Sequence, residues 1–238
     1  YMKAEEAFTR GELDRGLETV LENDLPFELI RRFLSPAAEF DRRLAADAIA
    51  KTVPPNAAIL NLRYIIKLVG DDGAARAALK AVNGTVTSYE VLRAWVALTR
   101  GLPDPGAGPP KTLDALEKVY AAKVGKAAGL ILPGLSAPKL VACVDASGSM
   151  VGYMPTLRNL LWNSLACLSV FRDLTVSTVA FDSAAGVETD NAEWATIRGL
   201  VRFYSRLRDK YGGSTNIDAG LRASLDEAGR HGVDNIAI

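Results

Sequence analysis

Asp145, Ser147 and Ser149 occupy alternate positions in VACVDASGSM, residues 141–150. One carboxylate and two hydroxyls are hard oxygen donors. They suit Mg²⁺ or another divalent cation, which takes octahedral oxygen ligation and usually keeps several waters. Alternation along the turn can aim both hydroxyls the same way as the carboxylate. Gly148, between the serines, frees the turn to take an unusual backbone angle. A second stretch, YGGSTN at 211–216, offers a third hydroxyl on Thr215 just before a helix, behind a Gly212-Gly213 pair that permits close approach. An Asp and a Ser after a strand also read as a plain helix cap. Both loops on one scaffold favour the metal reading.

Other chemistries find less support. No Gly-Lys-Ser/Thr run and no dinucleotide fingerprint accompanies the glycines, which argues against a nucleotide. The single histidine, His231, falls near the end of a helical pattern, where it reads as a C-terminal cation or a surface residue rather than a base for either serine. No paired-carboxylate or Cys/His constellation appears. The chain is therefore expected to bind rather than catalyse.

The elements that must position these residues follow from periodicity. KLVACVD is a short apolar run with β-branched residues, as in a strand covered on both faces. LRNLLWNSLACLSVF reads as a helix, LTVSTVAFD as a strand and VETD as a short strand. NAEWATIRGLVRFYSRLRDK and NIDAGLRASLDEAGRH read as helices, and DNIAI opens another strand. Strands alternating with helices predict a parallel sheet with helices on both faces. Ligands of such sheets sit at the carboxyl ends of the strands, where Asp145 lies.

Residues 1 to about 100 read instead as helix after helix. GELDRGLETVLEN, LPFELIRRFL, AAEFDRRLAADAIAK, PPNAAILNLRYIIKLV, DGAARAALKAV and YEVLRAWVALTR each carry apolar residues at helical spacing, with Gly70 and Asn83-Gly84 as stops. Short helices with short connections suit stacked, HEAT-like helical pairs, although no fixed-period repeat stands out. GLPDPGAGPP, residues 101–110, breaks the pattern, and TLDALEKVYAAKVGKAAGL adds one more helix with Leu113, Leu116, Val119, Tyr120 and Val124 on its apolar face. The expected divisions are a helical segment at 1–100, a connecting loop and helix at 101–134, and an α/β domain at 135–238.

Composition bounds the reading. Of 238 residues, 49% are hydrophobic and 24% charged, and the formal net charge is zero. That suits a chain with a buried core and argues against a uniformly basic nucleic-acid binder, though not against a local patch. No apolar run is long enough for a membrane span. Cys143 and Cys167 lie in apolar contexts and are expected to be buried free thiols in a reducing, cytoplasmic setting.

The Asp-x-Ser-x-Ser turn after an apolar strand, followed by Gly-Gly-x-Thr-Asn, resembles the metal-ion-dependent adhesion site of von Willebrand factor A domains. The resemblance implies that Asp145, Ser147, Ser149 and Thr215 hold the metal, and that an acidic group of a partner completes its coordination. In that family a further aspartate follows the strand that DNIAI begins, so the match covers about the first half of such a domain and the domain is expected to be incomplete here. Helical repeats before such a domain resemble the Ro-type, or TROVE, ribonucleoproteins. PPNAAILNLRYIIKL, TLDALEKVYAAKVG and KLVACVDASGSM carry that similarity.

The Ro resemblance implies binding of small structured RNAs. From the residues themselves, the candidate phosphate contacts are Arg31, Arg32, Arg42, Arg43, Arg63 and Lys67, the last two one helical turn apart. Basic residues on a helix also read as its solvated face. Tyr64, Tyr89 and Trp95 could stack on bases, but each fits a helical core stripe better. The rival reading is a protein-only adaptor that offers its metal to a partner's carboxylate, an ATPase among the partners considered.

Overall fold

The computed structural model describes residues 1–99, 108–131, 139–151, 160–189, 191–233 and 236–237. Most of GLPDPGAGPP and the first residues of the expected α/β domain, 135–138, lie outside them. One compact unit comprises Tyr1–Thr99 with Gly106–Val119, and a second contains Tyr120–Ile238. No helix among the described residues is long and apolar enough to cross a membrane.

The first unit is helical. It contains α1 (Met2–Thr9), α2 (Leu13–Glu22), α3 (Phe27–Phe33), α4 (Arg42–Thr52), α5 (Pro55–Leu60), α6 (Leu62–Leu79), α7 (Ser88–Thr99) and the start of α8 (Pro110–Ile131). The single helix expected from PPNAAILNLRYIIKLV is broken at Asn61 into α5 and α6. Gly70 breaks α6 in turn, with φ 77° inside the helix, a conformation that costs glycine little. α2 packs on α4 and α4 on α6, while α1 meets α3 and α5 meets α7. Small residues let helices approach: a Cβ on Gly16 of α2 would meet the Phe8 ring of α1 at 2.5 Å, and one on Gly73 of α6 would stand 3.3 Å from Ala46 of α4.

Polar contacts tie these helices at a recurring interval. Arg76 pairs with Asp47, Lys80 Nζ donates to the Lys51 carbonyl, and Thr85 Oγ1 meets Asn56 Oδ1, each pair 29 residues apart. Lys51 Nζ likewise donates to the Leu21 carbonyl at 2.7 Å. A lysine at the end of one helix thus supplies a donor to the orphan carbonyls ending an earlier one.

The Gly70 break also frees Asp71 to cap another helix. Its carboxylate accepts from Lys111 N at 2.9 Å, Thr112 N at 2.8 Å and Thr112 Oγ1 at 2.6 Å, at the start of α8. Burial alone would raise the Asp71 carboxyl, but these bonds outweigh it and hold it below its ordinary value. Asp71→Ala is expected to destabilise the helical unit by about 1–2 kcal/mol in urea melts near neutral pH, as for a lost N-cap. Because the folded value is depressed, the contribution is present above about pH 4 and fades as pH falls through the folded value. An unchanged midpoint would mean that the N-terminus of α8 finds other partners.

α8 buries the apolar face expected of it: Leu113, Leu116 and Val119 in the first unit, Tyr120 and Val124 in the second. The second unit then builds β1 (Leu140–Asp145), α9 (Leu160–Leu168), β2 (Thr175–Phe181), β3 (Ala185–Val187), α10 (Ile197–Lys210), α11 (Ile217–His231) and β4 (Ile236–Ala237). The sheet order is β3-β2-β1-β4. β1 is parallel to both β2 and β4, as alternating strands and helices require. α11 packs on β1 and β2, with Val141, Val179, Ala228 and Val233 buried between them. α9 packs on β1 and on α10.

Further expectations are corrected, and the short strand is Ala185–Val187 rather than VETD. The sheet is mixed, because β3 runs antiparallel to β2. Only Asp182–Ala184 connects the two, far too short for the crossover a parallel pair needs. NAEWATIRGLVRFYSRLRDK is not one helix: Asn191–Ala195 forms a 3-10 turn, and Thr196 opens α10 by accepting from Gly199 N at 3.0 Å. Cys143 is a buried free thiol, but Cys167 is exposed. α9 turns Leu161, Trp162, Leu165 and Ala166 inward, which leaves Cys167 on the other side.

Candidate metal site

The first loop follows β1 directly. Asp145 is half-buried at the carboxyl end of the strand, beside Phe181 of β2, while β4 pairs with the other edge of β1 further back, at Val141 and Ala142. Strand order reverses at β1, since β2 follows on one flank and β4 on the opposite one. A crevice at such a reversal, outside the carboxyl ends, is where doubly wound sheets take ligands. Asp145 Oδ1 accepts from Ser147 N at 2.9 Å, which turns the chain back over the strand end. Ser147 is 1% exposed and Ser149 is exposed, yet their hydroxyl oxygens lie 3.3 Å apart. Adjacent oxygens around an octahedral Mg²⁺ are about 2.9 Å apart, so two hydroxyls at this separation can share one cation edge with a small adjustment.

The second loop is held against the first. Gly148 N donates to the Gly213 carbonyl at 2.8 Å. A Cβ on Gly148 would stand 2.8 Å from the Gly212 carbonyl oxygen, so only glycine admits this approach. Gly212 itself has φ 135°, again a glycine conformation. Thr215 follows two residues past the bonded carbonyl and is exposed. Asn216 then caps α11, its side chain accepting from Ala219 N at 3.1 Å.

A residue the motif did not name organises this loop. Asp182, at the end of β2, is 9% exposed. Its Oδ2 accepts from Gly212 N at 3.1 Å and Gly213 N at 2.8 Å, and its own carbonyl accepts from Asn216 N at 2.7 Å. Burial pushes its carboxyl up, but the N–H groups of Ala184, Gly213 and Gly212 and the Ser183 hydroxyl outweigh burial and leave it depressed. The signal was in the sequence: LTVSTVAFD runs apolar residues into an acid just as KLVACVD does.

The donor set is one carboxylate with hydroxyls. Among the described residues no three His, Cys, Asp or Glu side chains form a metal-binding group. A carboxylate with hydroxyls is the kind of oxygen donor set that a hard cation takes. His231, the last residue of α11, has its Nε2 3.4 Å from Glu227 Oε2, a helix-end contact remote in sequence from either serine.

The six basic candidates lie in the helical unit. Arg32 pairs with Glu5 at 3.0 Å and lies over the Phe33 ring. Arg31, Arg42, Arg43, Arg63 and Lys67 are exposed, and among the described residues no ion pair engages them. Tyr64 is held in place rather than offered for stacking: its hydroxyl donates to the carbonyls of Ile30 at 3.2 Å and Leu34 at 2.9 Å. Burial pushes that phenol up to about 12, against the nearby Arg31 charge. Trp95 is 1% exposed and belongs to the core. Compared with protein-family models, curated proteins and solved structures, the chain matches none.

Proposed function

We propose that the α/β unit binds a divalent cation through Asp145, Ser147, Ser149 and Thr215, and uses it to bind an acidic group of a partner. The observation that carries this reading is the docking of two loops at the sheet's reversal point. One loop brings a carboxylate and two hydroxyls together, and the Gly148–Gly213 bond sets the second loop beside it. Neutral hydroxyls leave most of the cation's charge uncompensated, and a partner's carboxylate or phosphate can then complete its shell. The likeness to a von Willebrand factor A adhesion site rests on the same residues. Calorimetric titration of the full chain with Mn²⁺ or Mg²⁺ tests it. Saturable one-to-one binding is expected, and no heat at millimolar metal would remove the reading.

A second reading concerns the helical unit as an RNA-binding scaffold of the Ro type. Its support is that Arg31, Arg63 and Lys67 are exposed and, among the described residues, make no ion pair. The 29-residue interval supports the HEAT-like repeat that goes with it. Pro26 and Pro55, Ile30 and Ile59, and Val20, Ile49 and Ala78 share the interval seen in the interhelical contacts. Reversing Arg63 and Lys67 to Glu is expected to weaken RNA binding at least tenfold in filter assays at low salt, and to flatten its salt dependence. Unchanged binding would count against this patch. Absence of any RNA binding would leave the protein-only adaptor.

A further inference from the structure

The second loop has a mounting that neither reading uses. Glu188, just past β3, is 8% exposed, and its N–H donates to the Thr178 carbonyl of β2 at 2.6 Å. The side chain therefore projects from a fixed backbone. Its Oε1 accepts from Lys210 Nζ and, at 3.0 Å, from the Tyr211 hydroxyl, while Arg206 Nε lies 3.8 Å from Oε2. Lys210 ends α10, and Tyr211 immediately precedes Gly212. The Tyr211 hydroxyl sits so close to the β3 backbone that a Cβ on Gly186 would meet it at 2.6 Å.

Beyond this anchor the loop is held mainly by Asp182, and residues 212–216 are all exposed. The β2–β3 hairpin thus grips the loop at both ends of its glycine pair: Glu188 fixes what enters it and Asp182 fixes the glycines themselves. Two hydrogen bonds and one longer ion pair converge on this buried carboxylate. We infer that Glu188 is a positioning residue for the metal site, holding Lys210 and Tyr211 so that the Gly213 carbonyl and Thr215 stand at the first loop.

This inference rests on the metal reading above, and its test separates the two. Mn²⁺ titration and amide hydrogen exchange are run on the full chain for wild type, Tyr211→Phe, Glu188→Gln and Glu188→Ala. Tyr211→Phe keeps the ring against Gly186 and removes only the hydroxyl, so it guards against simple unfolding. Loss of an outer-shell partner commonly weakens metal binding about 10- to 100-fold. Glu188 touches no proposed ligand and acts through Tyr211, so Glu188→Ala is expected at the low end of that range, about tenfold. Glu188→Gln, which keeps an acceptor for Tyr211, is expected to fall less. Exchange at Gly212 and Gly213 should quicken, with β1 and the helical unit unchanged. Equal Mn²⁺ affinity and unchanged loop exchange in all variants would overturn the inference. If wild type binds no Mn²⁺ but Glu188→Ala still quickens the loop, the metal reading falls and the positioning role stands. If neither is seen, both fall.

Discussion

Asp145→Ala is expected to abolish divalent-cation binding while leaving the helical unit folded. Asp145 supplies the only formal negative charge among Asp145, Ser147, Ser149 and Thr215. Hydroxyls alone compete poorly with water for a cation that dehydrates reluctantly. The carboxylate also shapes its own loop, because Oδ1 takes the Ser147 N–H that folds the turn. Alanine removes both the charge and the turn's hydrogen bond, so the loss of affinity should exceed the roughly 100-fold typical of outer-shell changes. The helical unit is a separate compact body, with its own core around Leu17, Ile30, Ile49, Ile65 and Trp95, and its melting should not move. Calorimetry with Mn²⁺ and circular dichroism on the full chain read the two effects. Binding that survives the substitution would sink the metal mechanism, whatever the partner.

How far this could be read from the residues depends on where their information lies. Asp145, Ser147 and Ser149 fall within one turn, so spacing alone put them together. Thr215 was reached only because its glycine pair marks a tight approach, and the Gly148–Gly213 contact is that approach. Asp182 and Glu188 were missed because their partners lie 30 and 22 residues away, on the other side of a helix. Local pattern shows an acid at a strand end but not whose N–H groups it receives. The 29-residue interval was missed for a different reason. It is carried by a few scattered positions, among them Pro26/Pro55, Ile30/Ile59 and Val20/Ile49/Ala78, and the last of these changes type from one repeat to the next, so they give no consistent pattern. The mixed sheet escaped because an edge strand as short as Ala185–Val187 has too few residues for periodicity to declare its direction. The boundary before α10 was legible in principle, since Thr196 is a good N-cap residue and takes that role by accepting from Gly199 N.

Asp182→Asn is expected to cost about 2 kcal/mol near neutral pH and to loosen the second loop, although the two side chains are nearly isosteric. The native carboxylate accepts from four donors: Gly212 N and Gly213 N on Oδ2, and Ala184 N and the Ser183 hydroxyl on Oδ1. An amide keeps one accepting oxygen and turns an NH₂ group toward the other pair, so two bonds to an anion are lost and donors face donors. Bonds to a charged acceptor are worth about 1.5–3 kcal/mol each, and the exposure of Gly212 and Gly213 lets water recover part of that. The pH dependence separates charge from shape. Burial raises this carboxyl but the four donors lower it further, so its folded value lies below the unfolded one. The charge's contribution is then fully present above about pH 4 and lost as pH falls through the depressed folded value. Urea melts of wild type and Asp182→Asn should therefore differ most at neutral pH and converge in acid. Other depressed carboxyls, Glu227 among them, titrate in both proteins and cancel in the difference. A gap that stays constant into acid would mean that the loop depends on the shape of residue 182 and not on its charge. In that case the hairpin holds the glycines by packing, and Asp182 loses its electrostatic role at the site.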